Sequence, residues 1–187
     1  MFIQTEQTQN PKTLKFLPGK VVMDEGTAFF QNVDEASNSP FAKRLFKVEG
    51  VEGVFSGSDF VTITKSDKFD WQTMKPLILG SIMDHYNSED STINELEKKE
   101  NTSLKENEND TDIVNQIIEL LDTRVRPAVA MDGGDIIYDS FKDGIVYLHM
   151  QGACSGCPSS TATLKMGIEN MLKHYVPEVQ EVRPVDA

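Results

Sequence analysis

Residues 145–175, IVYLHMQGACSGCPSSTATLKMGIENMLKHY, decide how the C-terminal part of the chain folds. Residues 145–150 are rich in the types that favour a strand. Pro158 suits the first position of a helix, and large apolar residues then recur at helical spacing. These residues are Leu164, Ile168, Met171, Leu172 and Tyr175. The stretch therefore predicts a strand, a loop that holds Cys154 and Cys157, and a helix.

Elements on either side of this stretch complete a small domain. An amphipathic helix is predicted before it, because a four-residue apolar repeat runs towards Pro127, which indicates an approaching end. The repeat consists of Ile113, Ile117, Leu121 and Val125. Residues 136–141 predict a strand that pairs with residues 145–150 through Lys142-Asp143-Gly144, in which Asp-Gly favours a tight hairpin turn. Residues 179–182 are expected to add a short strand.

The N-terminal half has its own pattern of strands and helices. Residues 13–17 predict a short strand, and Ser39-Pro40 has the residue types of a helix cap followed by a first helical position. Two apolar runs, residues 51–55 and 60–64, predict a hairpin. A helix over residues 70–86 is expected to close the unit.

Residues 87–110 separate these two regions and differ from both in composition. They consist mainly of Glu, Asp, Asn, Ser, Thr and Lys, so they cannot bury enough apolar surface to fold alone. A flexible coil of this length spans roughly 25 to 30 Å, which lets the flanking domains move independently. The predicted fold class is α+β: two small domains of layered helices and strands, residues 1–88 and 110–187, joined by a flexible acidic linker over residues 89–109.

Charge and hydropathy narrow the class of protein. The formal net charge of -12 disfavours nucleic acid as a partner, because phosphate binding needs a surface rich in Lys and Arg. No apolar run approaches the roughly 20 residues needed to span a bilayer, so no membrane partner is expected. Residues 1–10 are polar and lack a signal core and the Arg-rich character of a transit peptide. The expected location is therefore cytoplasmic, as for a bacterial or already processed protein.

Cys154 and Cys157 are the only cysteines and lie three positions apart. A disulfide-stabilised secreted domain normally uses more bridges across longer loops, so the pair indicates metal or redox chemistry. Its place before a helix N-terminus is expected to stabilise the thiolate. Small residues around the pair let the backbone approach a bulky ligand. They are Gly152, Ala153, Ser155 and Gly156.

The number of thiolates then favours an assembly of two chains. An iron-sulfur cluster needs about four protein ligands, and one chain offers two. A symmetric dimer supplies the missing pair, with both loops facing one cluster across the twofold axis. A cluster held half by each subunit is exposed, which suits release to an acceptor. On this hypothesis Cys154 and Cys157 are the metal ligands, and no catalytic residue is expected.

Other functions fit parts of the same pattern. A CxxC segment between a strand and a helix also occurs in thiol-disulfide oxidoreductases, although no clear βαβ unit precedes it here. It can form half of a structural zinc site, although no second cysteine pair is present and neither His149 nor His174 is well placed. Four aspartates lack the spacing of a calcium loop and are expected in solvated turns. They are Asp132, Asp135, Asp139 and Asp143.

Several segments resemble the NifU-like (Nfu-type) family of iron-sulfur carriers. Residues 154–164, CSGCPSSTATL, resemble its cluster-binding segment. Arg126-Pro127 together with residues 132–135, DGGD, resembles its upstream signature. The first domain is similar to the family's N-terminal domain within residues 10–19, 39–46 and 57–65.

This resemblance implies a carrier and no enzyme activity. A member of the family accepts a cluster, typically 4Fe-4S bridged between two subunits, from upstream assembly factors and delivers it to client apoproteins. Only Cys154 and Cys157 are carried over as cluster ligands. The first domain, with its Lys43-Arg44 pair, is expected to be a docking module or structural support.

Overall fold

The structure is a computed structural model that describes residues 2–88, 111–156 and 158–185, except the side chains of residues 158–160. The chain forms two compact units, Met1–Lys99 and Glu100–Ala187. Each unit combines helices with a sheet, which confirms the predicted α+β class with two domains. The predicted acidic linker, residues 89–109, lies outside the described residues. No helix in the described part of the chain is long and apolar enough to cross a bilayer.

The first unit is a five-stranded antiparallel sheet with two helices. Its strands lie in the order β1-β2-β5-β4-β3. They are β1 (Gln4–Gln7), β2 (Thr13–Leu17), β3 (Ala28–Phe30), β4 (Val51–Ser56) and β5 (Val61–Lys65). The helices are α1 (Pro40–Phe46), preceded by a 3-10 turn at Glu35–Asn38, and α2 (Trp71–Asn87).

Local chemistry explains most of these elements. The Ser39 hydroxyl accepts a hydrogen bond from the Ala42 backbone N–H at 3.1 Å, and Pro40 is the first residue of α1, which confirms the predicted cap. β4 and β5 pair antiparallel, as the two apolar runs predict. The sequence prediction misses β1 and β3, because the QTEQ sequence of β1 is polar and β3 has three residues.

One hydrophobic core holds the first unit together. Side chains from the inner face of the sheet and from both helices contribute to it. Its large, fully buried members are Phe16, Phe41, Leu45, Ile63, Met74, Ile78 and Ile82. The predicted closing helix is present as α2 and contributes Met74, Ile78 and Ile82 to this core.

The second unit is a three-stranded mixed sheet with helices. Its strands are β6 (Gly134–Lys142), β7 (Ile145–Gly152) and β8 (Glu181–Val185), in that order. β6 pairs antiparallel with β7, and β8 pairs parallel with β7. The helices are α3 (Thr111–Leu120), α4 (Arg126–Met131) and α5 (Pro158–Tyr175). α5 is the crossover that a parallel β7–β8 pair requires.

Turn and helix predictions in this unit agree with the structure at most positions. Asp143 and Gly144 have φ values of 52° and 77°, as expected for the tight turn that joins β6 to β7. On α5, Ile168 and Leu172 are buried as predicted. Tyr175 is 40% exposed instead, because it ends the helix, where its ring packs against the Arg124 guanidinium at 4.9 Å.

Pro127 does not end its helix. A five-residue π-turn, Leu121–Val125, follows α3, and the Arg126 N–H bonds to the Leu121 carbonyl five residues back. Pro127 then falls within the first turn of α4, where its missing N–H is not needed. The chain therefore stays helical to Met131 and enters β6 from there.

Candidate functional site

The cysteine loop, defined here as residues 153–156, follows the end of β7 and precedes α5. Cys154 therefore lies in the strand–loop–helix position that the sequence predicts. Cys157 lies outside the described residues, so the geometry below concerns Cys154. Gly134 pairs with Gly152 in the sheet, and this register brings the first residue of β6 beside the loop.

Cys154 is buried against the backbone of β6. Its relative exposure is 5%. A Cβ atom at position 134 would overlap the Cys154 Sγ and would lie 2.9 Å from the Gln151 carbonyl oxygen. Glycine at position 134 is therefore what leaves room for the thiol. Spacing inside the motif does not reveal this contact, and the only sequence signal for it is the Gly133-Gly134 pair.

Hydrogen bonds hold the loop on both sides. The Ala153 N–H donates to the Gly133 carbonyl at 3.1 Å, which fastens the loop to the start of β6. On the other side, the Thr161 hydroxyl in α5 donates to the Cys154 carbonyl at 3.2 Å. Gly152, with a φ of 61°, supplies the left-handed backbone from which the loop leaves β7.

The protonation state of Cys154 differs from the sequence expectation. Burial, and to a smaller extent the negative charges of Asp132 and Asp135, raise the pKa of Cys154 to about 12 from 9.0. The predicted thiolate stabilisation by a helix N-terminus is wrong for this residue. α5 begins at Pro158, and the field of a helix end falls off within about one turn. In this conformation Cys154 is a protonated thiol at neutral pH.

An ion pair fixes the start of β6 beside the thiol. Arg126 Nε and Nη2 donate to the two carboxylate oxygens of Asp135 at 2.9 and 2.8 Å. Asp135 is 3% exposed and also accepts from the Ile136 N–H at 2.8 Å. The paired carboxylate raises the pKa of Arg126, which stays charged. The contact ties α4 to the residue next to Gly134.

The four aspartates do not share one environment. The expectation of solvated turns is wrong for Asp135, which is buried on β6. Asp139 is exposed as expected but lies on strand β6 and not in a turn, with its carboxylate 2.9 Å from His149 Nε2. The expectation holds for Asp143, which lies in the hairpin turn. Across residues 2–88, 111–156 and 158–185, no three His, Cys, Asp or Glu side chains are grouped so that they could hold a metal ion.

Two family models match the chain in succession. The model described as "Scaffold protein Nfu/NifU N terminal" matches residues 3–89. The model described as "NifU-like domain" matches residues 117–183. The second match contains the cysteine loop, Gly134 and the Arg126–Asp135 pair.

Individual relatives match almost the whole chain. "NifU-like protein 4, mitochondrial" of Arabidopsis thaliana is 53% identical over 184 residues, which cover 97% of this chain and 65% of that protein. "NFU1 iron-sulfur cluster scaffold homolog, mitochondrial" of Drosophila sechellia is 48% identical and covers 99% of this chain and 65% of that protein. The human protein of the same name is 48% identical and covers 99% of this chain and 72% of that protein.

These relatives overturn the expected cytoplasmic location. All three are named as mitochondrial, which points to that compartment instead. The prediction rested on residues 1–10. This chain spans 65% of the length of the first two relatives, so its first residues are no basis for judging a targeting segment.

Models and relatives agree on one family. The predicted resemblance to the Nfu/NifU-like family is confirmed for both domains. The match to the human relative covers 72% of that protein's length. The chain belongs to the Nfu/NifU-like family.

Proposed function

We propose that this chain carries iron-sulfur clusters: it receives a cluster as cargo, holds it between two copies and passes it to apoproteins. The proposal rests on the number of cluster ligands that one chain can provide. The chain has two cysteines, and the described part of it contains no group of three side chains able to hold a metal. A cluster that needs about four ligands must then draw them from two chains. The scaffold names of the relatives support the same function.

The proposed ligands are Cys154 and Cys157 of each copy. The proposed cargo is a 4Fe-4S cluster on the twofold axis of a homodimer. Support comes from the position of Cys154 in a short loop at the open end of the β6–β7 hairpin, where two loops can face each other. Such a cluster is exposed and held half by each subunit.

Transfer is proposed to occur by exchange of ligands. A thiolate of a client apoprotein replaces Cys154 or Cys157 on one iron, and the released cysteine takes up a proton. Repeated exchange moves the cluster to the client while iron and sulfide stay together. Only iron–thiolate bonds change, so we propose a carrier and not an enzyme.

The first unit is proposed to dock clients or upstream assembly factors. Lys43 and Arg44 lie in the last turn of α1 and place positive charge on an otherwise acidic chain. Lys43 is exposed and Arg44 is half-buried. An acidic surface on a partner would complement this pair. The proposed domains, residues 1–88 and 110–187, would be joined by the acidic linker over residues 89–109.

The alternative function, thiol-disulfide exchange by the same cysteines, is less well supported. A thiolate is the attacking species in such exchange. Burial raises the pKa of Cys154 to about 12, so this conformation supplies little thiolate at neutral pH. Structural zinc would need further ligands, which the described part of a single chain does not offer.

Anaerobic reconstitution of the full chain with ferrous and ferric iron and sulfide tests the proposal. We expect about two iron atoms and two sulfides per chain, together with a brown, dimeric product. Cys154→Ser and Cys157→Ser should each lose the cluster, because each removes half of the thiolates. Ser155→Ala, in the same loop, is the matched control and should keep full iron content.

Two results would contradict the carrier function. A colourless monomer that reduces disulfides catalytically would favour the oxidoreductase. Stoichiometric zinc that survives purification, with no iron taken up afterwards, would favour a zinc-bound interaction module.

A further inference from the structure

We propose that Cys154 is inaccessible to solvent in the cluster-free chain, a conformation called here the shut state. Thr161 is the positioning residue whose hydrogen bond to the cysteine loop, called here the latch, stabilises that conformation. The proposal adds a regulatory step to the same site, and its statement about cluster loading rests on the proposed function. Loading would then wait until the cysteine loop opens.

Steric enclosure makes the shut state unable to bind metal. An iron ligated by a thiolate must approach the sulfur to about 2.3 Å, the usual length of a metal–thiolate bond. Cys154 is 5% exposed, and Gly134 packs so closely that even a Cβ atom would overlap the Sγ. On this proposal, iron in solvent reaches the sulfur only after the loop leaves the backbone of β6.

Thr161 is placed to control this opening. Its hydroxyl donates to the Cys154 carbonyl at 3.2 Å and so ties the loop to the first turns of α5. Backbone bonds of the loop run to the β6–β7 hairpin; the Ala153 N–H, for example, donates to the Gly133 carbonyl. Thr161 thus links the loop to a second element through a side chain that can be changed without altering the backbone.

The strength of one neutral hydrogen bond sets the size of the effect. Its net contribution corresponds to a two- to tenfold change in an equilibrium constant. Removing the Thr161 hydroxyl should therefore raise the open fraction by that factor. The proposal places the bond in the shut state alone, so its loss should speed loading and leave the lifetime of the loaded cluster unchanged.

Alkylation of the reduced, cluster-free chain measures the latch directly. Cys157→Ser leaves Cys154 as the only thiol, and its modification by N-ethylmaleimide is followed by intact mass. We expect modification to be at least about tenfold slower in the native chain than in guanidinium, since the thiol is 5% exposed. Adding Thr161→Val, which removes the hydroxyl at nearly constant volume, should speed native modification two- to tenfold.

Thr161→Ser is the matched control, because it keeps the hydroxyl. In the Cys157→Ser background it should alkylate within about twofold of the parent, and all three chains should react equally fast in guanidinium. Equal native rates for Thr161→Val and the parent would overturn the latch. A native rate equal to the rate in guanidinium would overturn the shut state itself.

The rate and extent of cluster loading test this proposal and the proposed function separately. With both cysteines present, Thr161→Val should take up iron and sulfide two- to tenfold faster than the unmodified chain and reach the same final content. If the unmodified chain takes up no cluster while the alkylation results hold, the carrier function fails and the shut Cys154 stands. If clusters form but Thr161→Val loads no faster, the carrier function stands and the latch fails.

Discussion

Two of the antiparallel hairpins in the described part of the chain, β4–β5 and β6–β7, use glycine in the same way around different side chains. A Cβ atom at Gly57 would overlap the Phe60 ring, and a Cβ atom at Gly134 would overlap the Cys154 Sγ. Phe60 packs against Phe55 at a ring-centroid distance of 5.9 Å and is buried. In the first unit the missing side chain admits an aromatic ring, and in the second it admits a thiol.

The surroundings of the two glycines differ in how far they can yield. The atoms closest to Gly57 are at the outer edge of a ring that can shift. Those closest to Gly134 include backbone, the Gln151 carbonyl at 2.9 Å and the Cys154 nitrogen at 3.0 Å. The comparison indicates that the first contact serves packing alone, whereas the second holds the cysteine loop in register.

Replacing each of these glycines with alanine should give the largest difference in stability between the two units. Gly134→Ala should lower the free energy of unfolding of the second unit by about 3 kcal/mol, the upper end of overpacking costs, because backbone must move. Gly57→Ala should cost the first unit about 1 kcal/mol, since the Phe60 ring can adjust. Chemical denaturation separates the units, because Trp71 is the only tryptophan and reports on the first, while circular dichroism reports on both.

Cluster content extends the same comparison. Gly134→Ala should lower the iron retained after reconstitution, because Cys154 is displaced. Gly57→Ala should retain as much iron as the unmodified chain. Equal iron content and equal loss of stability in both variants would remove the distinction between the two hairpins.

Arg126→Lys should have the next largest effect. Lysine keeps the positive charge but loses the two-point contact with the buried Asp135, so we expect a loss of about 1 to 2 kcal/mol in the second unit. The matched control is Arg183→Lys. Arg183 makes a similar two-point contact with the more exposed Glu181, at 3.0 Å on both oxygens, so Arg183→Lys should lower the free energy of unfolding by less than Arg126→Lys does. Equal losses of unfolding free energy in the two variants would show that burial of Asp135 does not strengthen its contact with Arg126.

Alkaline pH should produce a smaller, graded effect through Cys154. Its pKa is about 12 in the folded chain, against an ordinary 9.0, so the unfolded chain loses this proton first. The stability that comes from burying the neutral thiol is complete below about pH 9 and falls by about 1.4 kcal/mol per pH unit above it.

Paired variants isolate that contribution. Cys157→Ser retains the buried thiol, and Cys154→Ser with Cys157→Ser lacks it, while all other titrating groups are shared. The difference in unfolding free energy between them should be constant from pH 7 to 9 and should shrink between pH 9 and 10. Parallel curves over this range would contradict a raised pKa for Cys154.

Local sequence patterns were sufficient for the elements with strong periodicity or turn chemistry. The apolar spacing of α5, the Ser39-Pro40 cap and the Asp143-Gly144 turn each depend on a few neighbouring residues, and each is present as predicted. β1 escaped prediction because an edge strand of polar residues has no apolar alternation. The prediction that the helix ends near Pro127 was wrong because a π-turn shifts the hydrogen-bond register. A proline in the sequence does not reveal such a shift by itself.

The position of Cys154 in the fold could be predicted from the sequence, but its protonation state could not. The cysteine pair, its loop and the helix after it follow from residues 145–175. The raised pKa of Cys154 depends on Gly134, which is twenty positions away along the chain, and on the sheet register that joins them. Asp135 is buried because Arg126 reaches it from another element. Contacts of this kind arise from tertiary packing, which spacing within a motif does not encode.

The mass of the cluster-bound species under non-denaturing conditions tests the central claim most directly. Each chain has a mass of 20.9 kDa, and the account predicts two chains with one 4Fe-4S unit, which separate into single chains when the iron is chelated. A mixture of unmodified and Cys154→Ser chains should give full clusters only in dimers of two unmodified chains. A single chain that holds a complete cluster by itself would contradict the sharing of Cys154 and Cys157 between two copies.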